Sequence, residues 1–237
     1  MLTGRGYSKT GDVPSSEYSI RRDLRALLRE TAQPVAVVTS LMPAHASPST
    51  PHALPSASRF HGATLSSFTS IALDPHPLVA FSLRIPSRMA ASLSTAHASL
   101  VVNILSAAQP AVAARFARPD LHADPFAHTP YALSAEGLPV LSGALGALSC
   151  RLVAASWPLH DLASLQGRDW AEDAREPWEG DGVASELFIA QVTRVEDVPR
   201  LENGAAGVED DATRSPLLYY QRTYATTHIL DQSNREK

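Results

Sequence analysis

From Tyr18 to Thr31 the apolar residues Ile20, Leu24, Leu27 and Leu28 recur at helical spacing, and Arg21, Arg22, Arg25 and Arg29 take the other faces. That pattern predicts one amphipathic helix. Pro34 cannot continue it, and the apolar, β-branched run from Val35 to Leu41 predicts a buried strand. The pattern then lapses over residues 43–58, PAHASPSTPHALPSAS, a Pro, Ser and Ala mixture without period. Such a stretch reads as a mobile insertion between two strands, too short to mark a domain boundary.

Strand signals resume at HGATLSSFTSIAL and PLVAFSLR, separated by the turn formers Asp74, Pro75, His76 and Pro77. Ser87, between Pro86 and the run from Met89 to Leu93, suits the N-cap of a short helix. Ala98 to Leu105 predicts a strand. Ser106 stands three residues before Gln109, the capping-box spacing, so a helix is expected from there through Phe116, with Pro110 in its first turn and Pro119 as its stop. Further strands are expected over Leu148–Ser156, Glu186–Val195 and Pro216–Tyr220, with a polar excursion over residues 157–182. Six or seven strands against three short helices make a mainly β protein with short helices, a β-barrel with helical decoration. The expected layout is a flexible N-terminal segment, 1–17, one domain, 18–225, carrying the insertions 43–58 and 157–182, and a tail, 226–237. The polar run from Gln221 onward is expected to fray.

Composition narrows the function classes. The chain has 237 residues, 44% of them apolar and 19% charged, and a formal net charge of -4. That is the profile of an ordinary globule with no basic field for a phosphate backbone, so nucleic acid is not an expected partner. No apolar stretch reaches the length of a membrane span, and no signal-peptide pattern opens the chain. The single cysteine, Cys150, lies in an apolar run and reads as a buried thiol in a reducing compartment. The cytoplasm is expected. Arg5 and Lys9, preceding the first acid, Asp12, leave a mitochondrial address as the alternative.

Two local patterns carry chemistry. Thr64-Leu65-Ser66-Ser67-Phe68-Thr69-Ser70 places five hydroxyls among seven residues in a strand and its bend. Hydroxyls and free backbone N–H groups there suit a ligand with ring carbonyls and nitrogens along one edge, although a solvent-facing Ser/Thr strand would read alike. About twenty residues on, Arg84, Ser87 and Arg88 bring two cations and a hydroxyl to a helix start, which suits a phosphate and equally describes a capped surface helix. His122, Asp124 and His128 lack a metal-binding spacing and read as a polar loop. No Gly-x-Ser-x-Gly elbow, Walker loop or Gly-x-Gly-x-x-Gly run is present.

The succession GATLSSFTSIALDPHPLVAFSL, PSRMAASL, ASLVVNILSAAQPAVAARFA, GLPVLSGALGALSCRLV and PLLYYQRTY resembles the flavin reductase-like family, whose fold is the FMN-binding split β-barrel. The resemblance runs from about Arg25 to Thr223 and is strongest between Gly62 and Leu105. It implies a noncovalently bound FMN, or FAD in its place, with NADH or NADPH as electron donor. It places Thr64, Ser66, Ser67, Phe68, Thr69 and Ser70 along the flavin ring, with Ser67 and Thr69 as side-chain donors. Ser87 and Arg88 are the implied phosphate clamp, Asn103 the residue beside the ribityl chain, and Phe116 and Tyr224 the residues that close the pocket. A homodimer is implied as well. In many such reductases a histidine stands just before the strand matching Leu187–Val192, whereas this chain has Ser185 there. The implied activity is therefore NAD(P)H-dependent flavin reduction, with a flavin carrier or other non-catalytic FMN-binding protein of the same fold as the alternative. His160 or the acids of 157–182 could stand in for the missing histidine or simply cover the site.

Overall fold

A computed structural model describes residues 16–42, 59–93, 95, 97–153, 157–160, 165–166, 184–200 and 211–228. The segments expected as insertions, 43–58 and most of 157–182, lie outside the described residues, as does most of 1–17.

The chain runs α1 (Ser16–Arg29), β1 (Gln33–Pro34), β2 (Ala36–Leu41), β3 (Phe60–Leu65), β4 (Thr69–Ala72), β5 (Leu78–Ile85), α2 (Arg88–Ser92), β6 (Ser99–Ile104) and α3 (Pro110–Ala117). A 3-10 turn at Pro125–His128 precedes β7 (Tyr131–Leu133), β8 (Pro139–Leu141), β9 (Gly146–Leu152), β10 (Trp157–Pro158) and β11 (Ala184–Glu196). The last elements are α4 (Asp211–Arg214), β12 (Leu218–Tyr220) and β13 (Thr223–Ala225). The mainly β expectation holds, with the principal strands close to where apolar patterning put them.

The main sheet is antiparallel in the order β3-β2-β6-β9-β11-β5-β4, with β10 added against β11. β3 and β4 therefore stand at opposite ends of the order, yet only residues 66–68 join them. Three residues cannot span a flat seven-strand sheet, since neighbouring strands lie about 4.8 Å apart. The sheet must curl until its two ends meet, which makes a barrel with a split between β3 and β5. β4 covers only the first part of β5, pairing Thr69 with Ala80 and Ser70 with Val79. Beyond that, the free edge of β5 faces the split.

Inside the curl, Leu65, Phe81, Met89, Leu93, Leu100, Leu152 and Phe188 form the main core, in which the Phe81 and Phe188 rings stack at 5.5 Å. Burying each such side chain contributes about 1.5–3 kcal/mol. Outside it, α3 and the 3-10 turn close a second core of Val35, Val37, Phe60, Leu105, Phe116, Phe126 and Leu217. β3 belongs to both: Ala63 and Leu65 face the first, and Phe60 faces the second.

Several local expectations need correction. Ser106 does not cap α3: the helix begins at Pro110 with Gln109 as its N-cap, while Gln109 Oε1 accepts the Ser106 N–H at 3.1 Å. Half of the capping box forms, and Pro110 sets the helix start because its fixed φ and missing N–H suit the first helical position. The stretch from Gln221 does not fray at once, since β13 pairs with β12. The hairpin β7–β8 had no strong strand signal. Its turn is marked by Gly137, whose φ of 73° favours glycine. Finally, the apolar stripe of α1 is not buried in the single chain: Ile20, Leu24, Leu27 and Leu28 are all exposed.

Candidate functional site

A cavity of about 710 Å³ occupies the split. That lies within the range of roughly 300–1,000 Å³ usual for small-molecule sites. β3 and the bend after it form one wall, from His61 to Ser67, and Ser82, Leu83 and Arg84 of β5 form another. Pro86, Ser87, Arg88 and Met89 close one end at the start of α2, Phe116 to Asp120 contribute from the end of α3, and Ser185 enters from β11.

The bend between β3 and β4 is stitched to β5 by Ser67. Its Oγ accepts the Ser82 N–H at 2.9 Å and lies 3.2 Å from the Ser82 carbonyl oxygen, to which it donates. One hydroxyl thus satisfies both backbone groups of an edge residue that no strand covers. On the other face of β3, the Thr64 hydroxyl donates to the Ala113 carbonyl at 2.7 Å and fixes α3 against the strand. Gly62 lets α3 come close: a Cβ there would stand 2.7 Å from two ring carbons of Phe116. Phe116 is itself locked against Phe126 at 5.0 Å, edge to face.

The α2 end carries charge. Ser87 is the N-cap of α2, its Oγ accepting the Ala90 N–H at 3.1 Å. Arg88 follows it directly, and Arg84 lies across β5 and β11 from Ser185. Asp120 is the carboxylate among the lining residues, and the Arg118 guanidinium, 2.8 Å away, holds it below the usual carboxylate range. His61 also lines the cavity, half-buried, and burial together with the neighbouring Arg88 charge pushes its imidazole below the ordinary histidine value.

Of the residues expected to form a site, the structure brings Thr64, Ser66, Ser67, Ser87, Arg88 and Phe116 to one cavity. It does not bring the others there. Phe68 packs against the main core, and Thr69 and Ser70 lie on β4, exposed. Asn103 is fully buried and bonded within the fold: its amide N–H₂ donates to the Val37 carbonyl at 3.2 Å, and its Oδ1 accepts the Leu141 N–H at 2.8 Å. Tyr224 sits on β13, with its ring 5.8 Å from that of Tyr219, edge on. His160 follows β10 and is not among the lining residues. Sequence reasoning passed over His61, although alternation along β3 places it on the same face as Ala63 and Leu65, two and four residues away.

Comparisons with known proteins bear on the fold and on the family. A family model described as a flavin reductase like domain matches residues 28–228. The protein called FMN reductase (NADH) SmoA of Agrobacterium fabrum is 37% identical over 95 residues, which are 40% of this chain and 51% of that protein. The chain thus matches about half the length of that curated relative. Among solved structures, the fold resembles a flavin reductase domain protein from Arthrobacter sp., with a TM-score of 0.58 and 18% identity over 90% of this chain and 99% of the other. It also resembles the styrene monooxygenase flavin reductase of Pseudomonas putida, with a TM-score of 0.56 and 24% identity over 87% and 99% of the two chains.

Proposed function

Since the chain belongs to the flavin reductase-like family, we propose that it is an NAD(P)H-dependent flavin reductase holding FMN in the split of its barrel. One observation carries the reading. Hydroxyls of the β3 bend and the cations of Arg84 on β5 and Arg88 at the start of α2 line a single cavity, so one phosphorylated ring system can meet both.

The residues fit such a group. Arg88 and Arg84 supply cations for a phosphate, and the Ser87 cap fixes the backbone that presents Arg88. At the bend, Ser66 and the backbone of β3 offer polar groups to a ring edge, while the Ser67 hydroxyl, its proton already given to the Ser82 carbonyl, holds the bend in place, and Phe116 gives an apolar wall. When bound, the flavin would supply the redox chemistry, as acceptor of hydride from NADH or NADPH. The chain would contribute orientation and electrostatics: the Ser67–Ser82 bonds tie the bend to β5, so the polar groups presented there keep their places. No lining side chain is required as an acid or base.

Mixing the purified protein with FMN and then NADH or NADPH under anaerobic conditions tests the reading. Loss of the yellow absorbance is the expected result. Colour that persists with both nucleotides would leave a flavin-binding protein without turnover, as Ser185 at the cavity would then explain. Colourless protein with no thermal shift on adding FMN would remove flavin binding as well.

A second copy of the chain is part of the proposal. Ile20, Leu24, Leu27 and Leu28 form an apolar stripe on α1 that one copy leaves to water, a face that association would cover. Light scattering at micromolar concentration is expected to give the mass of a pair.

A further inference from the structure

His61 and Arg88 reach the same cavity from different elements, β3 and α2. The register explains how. His61 lies opposite Ser40 on β2, and Ser40 Oγ is 3.7 Å from Met89 Sδ, so this face of the β2–β3 pair is covered by α2. Arg88 immediately precedes Met89, and its charge acts on the imidazole across the cavity that both residues line.

The surroundings of His61 are one-sided in charge. From α2 the ionisable group is Arg88, and from β5 it is Arg84. From α3 it is Arg115, whose guanidinium donates to the His128 carbonyl and to Thr129 Oγ1, each at 2.7 Å. β2 contributes no ionisable group, and none of these elements contains an aspartate or glutamate. Asp120 lines the same cavity but is bonded to Arg118. Burial first, and the Arg88 charge second, hold this half-buried imidazole below its ordinary value and so favour its neutral form.

We propose that His61 determines specificity at this site: a phosphate entering beside Arg88 draws a proton onto its imidazole, which becomes a further cation holding that phosphate and selects phosphorylated flavin over riboflavin. This rests on the flavin-site reading above. The sign follows from linkage. In the empty site the imidazole titrates below its ordinary value of about 6.5, and beside a bound phosphate it titrates above it, so binding takes up a proton between the two. Affinity for FMN therefore falls as pH rises through the bound-state value and levels off below the empty-state one. Riboflavin, lacking the phosphate, follows no such course.

The test measures dissociation constants of FMN and riboflavin for the whole chain and for His61→Gln, by flavin fluorescence from about pH 6 to about pH 8.5. A displacement of one pKa unit on binding makes the preference for FMN fall by up to about tenfold over that span in the wild type. In His61→Gln only the phosphate's own ionisation, near pH 6, should remain. Calorimetry of the wild type at pH 7, in two buffers of different ionisation enthalpy, is expected to show proton uptake with FMN and none with riboflavin. The same pH course in both proteins, or no uptake by the wild type, overturns the role of His61 while flavin binding stands. Binding of neither flavin overturns both readings. Should His61→Gln fail to fold, the calorimetry decides.

Discussion

Gly62 shows how one missing methyl group shapes the site. The Phe116 ring rests on β3 where a side chain would otherwise stand, and the ring cannot swing away because Phe126 holds its other side. Gly62→Ala is therefore expected to cost about 1–3 kcal/mol, as overpacked interiors do. Thermal unfolding would read the loss, and FMN titration should show weaker binding because the displaced ring forms a wall of the cavity. Arg88 makes a contrasting case. Arg88→Gln removes a cation without removing a packed group, and a lost charge-assisted bond of about 1.5–3 kcal/mol corresponds to a ten- to hundredfold rise in the FMN dissociation constant. Riboflavin binding, measured beside it, should change little.

Buried polar and thiol groups separate structural from functional roles at the same scale. The resemblance implied a ribityl contact for Asn103, but its amide joins β6 to β2 and to β8 within the barrel wall. Asn103→Ala would leave the Leu141 N–H without its acceptor, with an expected loss of about 1–3 kcal/mol for the buried orphan, read as a lower midpoint of denaturation. Cys150 is buried, and burial pushes its thiol up to about 12. A thiol reagent at pH 8 should therefore leave it unmodified in the native protein and label it once the chain is unfolded.

At the scale of elements, legibility followed how much each segment decides locally. α1, β2, β5, β6 and α2 declared themselves through period, β-branching or a cap, and Ser87 does cap its helix. The start of α3 did not, because Ser106 turns away from the helix and donates its hydroxyl to the Gly143 carbonyl at 2.8 Å, a partner 37 residues distant that no local rule supplies. β1, β10 and β13 are two or three residues long and exist through their pairings. The candidate site was half legible for the same reason. The hydroxyl run marked the right stretch, but residues 66–68 turn the chain, so its first part faces the cavity and Thr69 and Ser70 follow β4 out of it. His61 stayed hidden because its importance comes from Arg88, which sequence places far from it.

For the whole molecule, the order of strands matters more than any one of them. Two sheet ends joined by three residues close the barrel only partway, and the opening they leave is the cavity. The stripe on α1 has a consequence of another kind. If a second copy covers it, folding and pairing become one equilibrium governed by mass action, and the melting temperature should climb as the protein is concentrated. Leu24→Glu on that stripe should flatten the dependence, leaving a chain whose heat resistance no longer records how crowded it is.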